Sequence, residues 1–239
     1  MSTPTATRWS KTLGTGRDWR RRLLLHHAPL ALVSAAVLAV FATVPAFATS
    51  RHGSQTGAGF IDLSTVGTGY LALGLLALTL LIGPANLVLR RRNPVSTYLR
   101  RDVGAWAAVA SVVHVVRAFD GHGGGRILDF FVRNGTPLLD NFGLGNWTGL
   151  TALVIVLVLL ALSTDSALRE LKAKTWKDLQ RLTYTLFALV VLHALFYGAL
   201  SRATSSFTLL LILTVITVVA GQAMGVWLWR QRASASTRR

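Results

Sequence analysis

Residues 182–200 read LTYTLFALVVLHALFYGAL. The run holds no Asp, Glu, Lys or Arg, and its one readily titratable side chain is His193. As a helix rising about 1.5 Å per residue, such a run nearly spans the roughly 30 Å hydrocarbon core of a bilayer. An imidazole inside hydrocarbon is costly unless it is paired or ligated. The stretch therefore raises two questions: how many such crossings the chain makes, and what His193 binds.

Five more apolar runs answer the first. Together the six cover about 29–48, 66–89, 103–119, 147–164, 182–200 and 207–229. The third is short unless its ends are buried in protein. The chain is 52% hydrophobic and only 14% charged, a balance typical of integral membrane proteins. Strand-like alternation is absent, so the expected class is all-α: a six-helix transmembrane bundle rather than a barrel. No internal repeat stands out.

The net charge of +16 would suit nucleic acid if it were spread over one face. Instead the basic residues flank alternate connections. Arg8, Lys11, Arg17, Arg20, Arg21 and Arg22 precede the first run. Arg90, Arg91, Arg92, Arg100 and Arg101 lie between the second and third. Arg169, Lys172, Lys174, Lys177 and Arg181 lie between the fourth and fifth, and Arg230, Arg232, Arg238 and Arg239 follow the sixth. These are 20 of the 25 basic residues. The other connections hold Arg51, Arg126, Arg133 and Arg202, with Arg117 at the end of the third run. The positive-inside rule then places both termini in the cytoplasm of a cell-membrane protein and argues against nucleic acid. Ala46-Phe47-Ala48 after Arg20-Arg21-Arg22 imitates a cleavable or twin-arginine signal. The apolar run from Ala28 exceeds the usual h-region of about 7–15 residues, so a retained first helix is expected. The expected organisation is a disordered basic tail over 1–25, a membrane domain over 26–230 and a cytoplasmic tail over 231–239, with the Ser/Thr/Arg-rich stretches 1–18 and 233–239 disordered. The glycine-rich outer connection 120–146 is the longest.

Cysteine is absent, which excludes disulfides, thiolate-held clusters and covalently attached haem. The second question then falls on His114 and His193, the only ionisable side chains within the apolar runs. His114 lies thirteen residues past Arg101, and His193 twelve past Arg181. Both helices run outward, so the two imidazoles sit at one depth in the outer half of the membrane. One haem iron with an axial histidine from each helix satisfies that arrangement. Ala107, Ala110 and Ser111 are small and lie near the His114 face, leaving room for a flat macrocycle. Arg117, one turn beyond His114, suits a haem propionate, and Tyr197 lies one turn beyond His193. Two other readings stay open: histidines that merely bond neighbouring helices in a transporter or assembly subunit, and a proton relay, for which no intramembrane carboxylate is present. Gly67 and Gly69 imitate a dinucleotide fingerprint but read as helix-packing glycines. His26 and His27 read as surface residues near the membrane, and His52 and His122 as exterior. Asn134-Gly135-Thr136 and Asn146-Trp147-Thr148 form sequons of a kind common by chance.

Gly69 to Ala85, Arg90-Arg91-Arg92, Arg100-Arg101 and Val112-Val113-His114 stand in the order found in ferric reductase-like transmembrane domains. So do Gly149-Leu150, the run from Leu160 to Thr164, the stretch Trp176-Lys177-Asp178-Leu179-Gln180-Arg181-Leu182-Thr183-Tyr184, and Leu192-His193. Over about residues 66–200 the chain resembles that family, in particular the haem-bearing membrane subunit that partners a periplasmic methionine sulfoxide reductase, and more distantly the NADPH oxidase membrane core. The resemblance implies a six-helix bundle, b-type haem and electron transfer across the membrane. Relatives usually carry histidine where this chain has Gln180, and Arg101 holds the matching place on the third run. Glutamine is a poor axial ligand, so one haem is expected, in the outer half. Electrons then come from a quinol, from a cytosolic or membrane reductase, or through a flavin that nothing in the sequence supports. Trp106, Trp176 and Tyr184 are candidates to line an inner site, though interfacial aromatics usually anchor helices. The acceptor is an outer-face protein docking on 120–146, or a ferric chelate reduced directly.

Overall fold

A computed structural model describes residues 23–43, 63–90, 97–121, 126–171, 173–198 and 206–237. A π-helical turn, Leu23–His27, leads into α1 (Ala28–Thr43). Then come α2 (Leu63–Val88), α3 (Thr97–Gly121), α4 (Asn141–Leu162), the short α5 (Asp165–Glu170) and α6 (Ala173–Gln180), α7 (Leu182–Phe196) and α8 (Ser206–Thr237). Among the described residues six helices are long and apolar enough to cross a membrane, so the chain is a multi-pass membrane protein. The cleavage-like Ala46-Phe47-Ala48, His52, His122 and the tail before Leu23 lie outside the described residues.

Three boundaries depart from the sequence reading. The third crossing is not short: α3 opens at Thr97 and carries Arg100, Arg101 and Asp102 inside the helix. Its first turns are accepted because Asp102 is buried at 1% exposure with partners of its own. The fourth crossing begins at Asn141, where Asp140 caps the helix by accepting from the Gly143 amide at 2.8 Å. Gly143 and Gly145 thus belong to a helix and not to the loop. The expected disorder over 233–239 is overturned as far as Thr237, because α8 continues through Ala233 and Ser234 to that residue.

α2 and α3 pack as one antiparallel hairpin and α4 and α7 as another; α3 meets α4 between them, while α1 and α8 lie against α2. Leu71, Leu75, Ala107, Ala110, Ala152, Val156 and Leu186 form the buried core where the hairpins meet. Leu32, Val33, Val109, Leu213 and Ile216 are exposed, as side chains facing lipid are expected to be. Where helices touch in a membrane, backbone groups left without intrahelical partners need satisfying. Pro84 in α2 has no N–H, which leaves the Leu80 carbonyl without its usual donor. The Gln222 side chain of α8 donates to that carbonyl at 2.7 Å. With Tyr70 donating to the Phe207 carbonyl (2.8 Å) and Arg232 to the Leu87 carbonyl (2.6 Å), three bonds fasten α8 parallel to α2.

Between α3 and α4 lies an arch, residues 126–140. It holds a 3-10 turn (Ile127–Phe130) and a two-residue hairpin, β1 (Val132–Arg133) with β2 (Thr136–Pro137). Asn134 and Gly135 turn the hairpin with positive φ values of 51° and 78°, the pairing that tight hairpins favour. The arch sits at one end of the bundle; Asp102 and the start of α3 lie at the other.

Candidate functional site

His114 on α3 and His193 on α7 come together, their ring centroids 6.1 Å apart and their planes at 86°. Each ring is held by the other helix of its own hairpin. His114 Nδ1 lies 2.8 Å from the Thr65 carbonyl of α2, 49 residues earlier. His193 Nδ1 lies 2.8 Å from the Gly145 carbonyl of α4, 48 residues earlier. A carbonyl only accepts, so each Nδ1 donates its proton and each Nε2 is left with a lone pair.

One turn after each carbonyl stands a glycine, and the ring lies over it. A Cβ at Gly69 would stand 3.0 Å from His114 Cε1 and Nδ1, and one at Gly149 would stand 2.8 Å from His193 Nδ1. Any larger residue pushes the imidazole off its carbonyl. Gly69, read from the sequence as a packing glycine, packs specifically against an imidazole. The two half-sites are therefore one device built twice, a carbonyl and then a glycine four residues on, receiving a histidine from the partner helix. This structural repeat is not apparent as sequence similarity, since Thr65 and Gly145 contribute only backbone.

Among the described residues neither Nε2 makes a hydrogen bond, so each keeps its lone pair for a ligand. A metal ion taken at about 2 Å from each imidazole nitrogen leaves the ring centroids about 6 Å apart, which matches the observed separation. Among the described residues no group of three or more His, Asp or Glu could hold an ion, so His114 and His193 are the two protein ligands that these residues bring together. A haem iron would need two nitrogens from the protein, and His114 and His193 could supply them, so the donor set fits that group.

The other sequence candidates fall around this pair. Ala107 and Ala110 are buried in the shared core on the His114 side of α3, and Ser111 Oγ bonds the Ala107 carbonyl of its own helix at 2.9 Å. Arg117 is exposed one turn past His114. The Tyr197 ring lies tilted against that of His193, with centroids 4.9 Å apart. Trp106, Trp176 and Tyr184 have separate partners, namely His27 Nδ1, the Leu162 carbonyl and the Gln222 side chain. Gln180 ends α6, its carbonyl accepting from Thr183 Oγ1.

Reading the sequence alone missed three things. Gly145 and Gly149 were visible as glycines but not as the seat of His193. Asn146 was read only as part of a sequon; it is buried between Tyr197 and the arch. His26 and His27 are not free surface residues: His26 Nδ1 lies 2.6 Å from Asp102 Oδ2, and Trp106 Nε1 donates to His27 Nδ1 at 3.1 Å. The signal for the last was Asp102 itself, an acidic residue at the lip of an apolar run.

No curated protein matches the chain. A family model described as "Ferric reductase like transmembrane component" matches residues 68–191, more than half of the chain, including Gly69, His114 and Gly149. On that match the chain belongs to the ferric reductase-like transmembrane family.

Proposed function

We propose that this protein is an integral membrane b-type haem protein that carries electrons toward the outer face of the membrane, with a single haem held between His114 and His193. The observation that carries the reading is the pair of bare Nε2 atoms on rings 6.1 Å apart, each locked by a carbonyl behind it.

The residues act as follows. His114 and His193 would hold the haem iron through their Nε2 atoms. The Thr65 and Gly145 carbonyls fix the tautomer and make each imidazole a stronger donor. Gly69 and Gly149 let the rings seat. Ala107 and Ala110 lie buried on the His114 side of α3, and Arg117, one turn past His114, would be the basic side chain for a propionate. The haem supplies one-electron chemistry when bound, while the protein sets its depth, ligands and surroundings. We infer a single haem because, near the start of α3, Asp102 is engaged by His26, and the matching position before α7 is Gln180, a poor ligand. A quinol or a reductase then supplies the electron, and an acceptor protein or a ferric chelate at the arch end removes it. The basic connections favour a cell-membrane protein with both termini in the cytoplasm.

A pyridine haemochrome assay on the pure protein tests this. About one haem b per chain is expected. A value near two overturns the single-haem assignment, and a protein from haem-replete cells that stays colourless overturns the whole reading.

A further inference from the structure

The seat of His193 is joined to the arch by side-chain hydrogen bonds. Asn146, 8% exposed, sits at the joint. Its Oδ1 accepts from the Tyr197 hydroxyl at 2.5 Å, and its Nδ2 donates to the Phe130 carbonyl of the arch at 2.9 Å. The residue before it, Gly145, supplies the carbonyl that holds His193 Nδ1. Tyr197 closes the loop: its ring packs on Gly145 and against His193, and its amide bonds the His193 carbonyl. Behind these bonds stands a wall of rings, Tyr197 against Phe142 at 6.0 Å, Phe142 against Phe130 at 6.0 Å, and Phe130 against Phe119 at 4.9 Å. Phe130 is thus bonded directly to Asn146, the residue next to Gly145 in the chain.

We propose that Asn146 and Tyr197 are positioning residues that couple the arch to the axial ligand His193, so that a load on the arch changes the strength of the Gly145–His193 hydrogen bond and with it the reduction potential of the site. This rests on the haem reading above. The physical link is the basicity of the imidazole. A shorter bond from Nδ1–H to a carbonyl makes Nε2 a stronger donor and favours the ferric ion; a longer one favours the ferrous ion. The ligand set stays the same, so only the balance between oxidation states moves. An acceptor docking on the arch would thereby adjust the potential of the centre that serves it.

The test is a cycle of variants in the haem-bearing full-length protein, read by potentiometric titration of the reduced-haem absorption. Tyr197→Phe keeps the ring on His193 and removes one hydrogen bond. Asn146→Leu removes both side-chain bonds. Both keep the low-spin spectrum and raise the midpoint, Asn146→Leu by up to tenfold in the ferric-to-ferrous preference, which is about 59 mV for one electron. Phe130→Ala, in the arch, raises it in the wild-type background and does not raise it further in Asn146→Leu. Where Asn146→Leu does not fold, the same cycle is run on Tyr197→Phe. Shifts that simply add show that arch and ligand are independent and overturn the coupling; so does a haem-bearing wild type whose potential ignores all three changes. A wild type that holds no haem sinks the functional reading itself, an outcome visible before any variant is made.

Discussion

In the α2/α3 hairpin, Thr65 and Gly69 receive His114; in the α4/α7 hairpin, Gly145 and Gly149 receive His193, with the same 2.8 Å bond and nearly the same spacing along the chain. The hairpins differ in what lies beyond the cradle. The first is fastened at its far end, where Asp102 of α3 holds His26 and Trp106 holds His27, so that the start of the first crossing is pinned to it. The second is fastened near its histidine, where Tyr197 and Asn146 tie it to the arch. The shared part is what presenting a lone pair toward a common point demands. The unshared parts reflect what each hairpin must secure: the first helix in one case, the arch in the other.

The comparison can be broken most decisively at the histidines. His114→Ala and His193→Ala should each abolish the low-spin bis-histidine spectrum of the pure protein, and equally so, because the half-sites do the same work. One variant keeping the wild-type reduced spectrum would show that the symmetry is of packing only. The next largest effect should come from the glycines. Gly149→Ala and Gly69→Ala each force a methyl group into an imidazole, an overpacking worth about 1–3 kcal/mol. Haem per chain should fall in both, because each methyl group meets the ring at 3.0 Å or less. Equal and full occupancy in both would mean the rings do not seat there.

The unshared anchor should behave differently. Asp102→Ala leaves His26 Nδ1 without its acceptor, and losing a buried partner costs about 1–3 kcal/mol. Thermal unfolding followed by circular dichroism in detergent should show that loss while the haem spectrum stays unchanged, since Asp102 lies more than three helical turns from His114. A changed spectrum would join the two ends of α3 in one functional unit. The smallest effect belongs to Thr65→Ala. The His114 acceptor is backbone, so absorption and potential should not move; a clear shift would show that the hydroxyl takes part and that the cradles are not equivalent.

The six crossings were legible because hydropathy is a local property and length sets what can span a bilayer. The boundaries were less so. Asp102 was not legible as a residue inside the helix because its partners, His26 and His27, lie 76 and 75 residues earlier. Gly143 and Gly145 read as loop because glycine usually marks one, yet here they begin a helix that Asp140 caps. Ser and Thr near Thr237 suggested disorder, whereas the last turns of α8 extend an already formed helix, which costs far less than nucleating one. In the site, the two histidines were visible as residues out of place in hydrocarbon, and counting from the flanking arginines put them at one depth.

By itself, then, the sequence determined the six apolar helices, the asymmetry of basic charge between alternate connections, and the level at which two imidazoles meet; all three follow from side-chain type and a fixed helical rise. Only the tertiary structure decided which nitrogen of each ring is left bare, why Gly69 and Gly149 stand where they do, and that Asn146 links one half-site to the arch. Those depend on backbone carbonyls 48 and 49 residues from the histidines they hold. A carbonyl is present at every residue, so no side-chain pattern can single out the one that will be used.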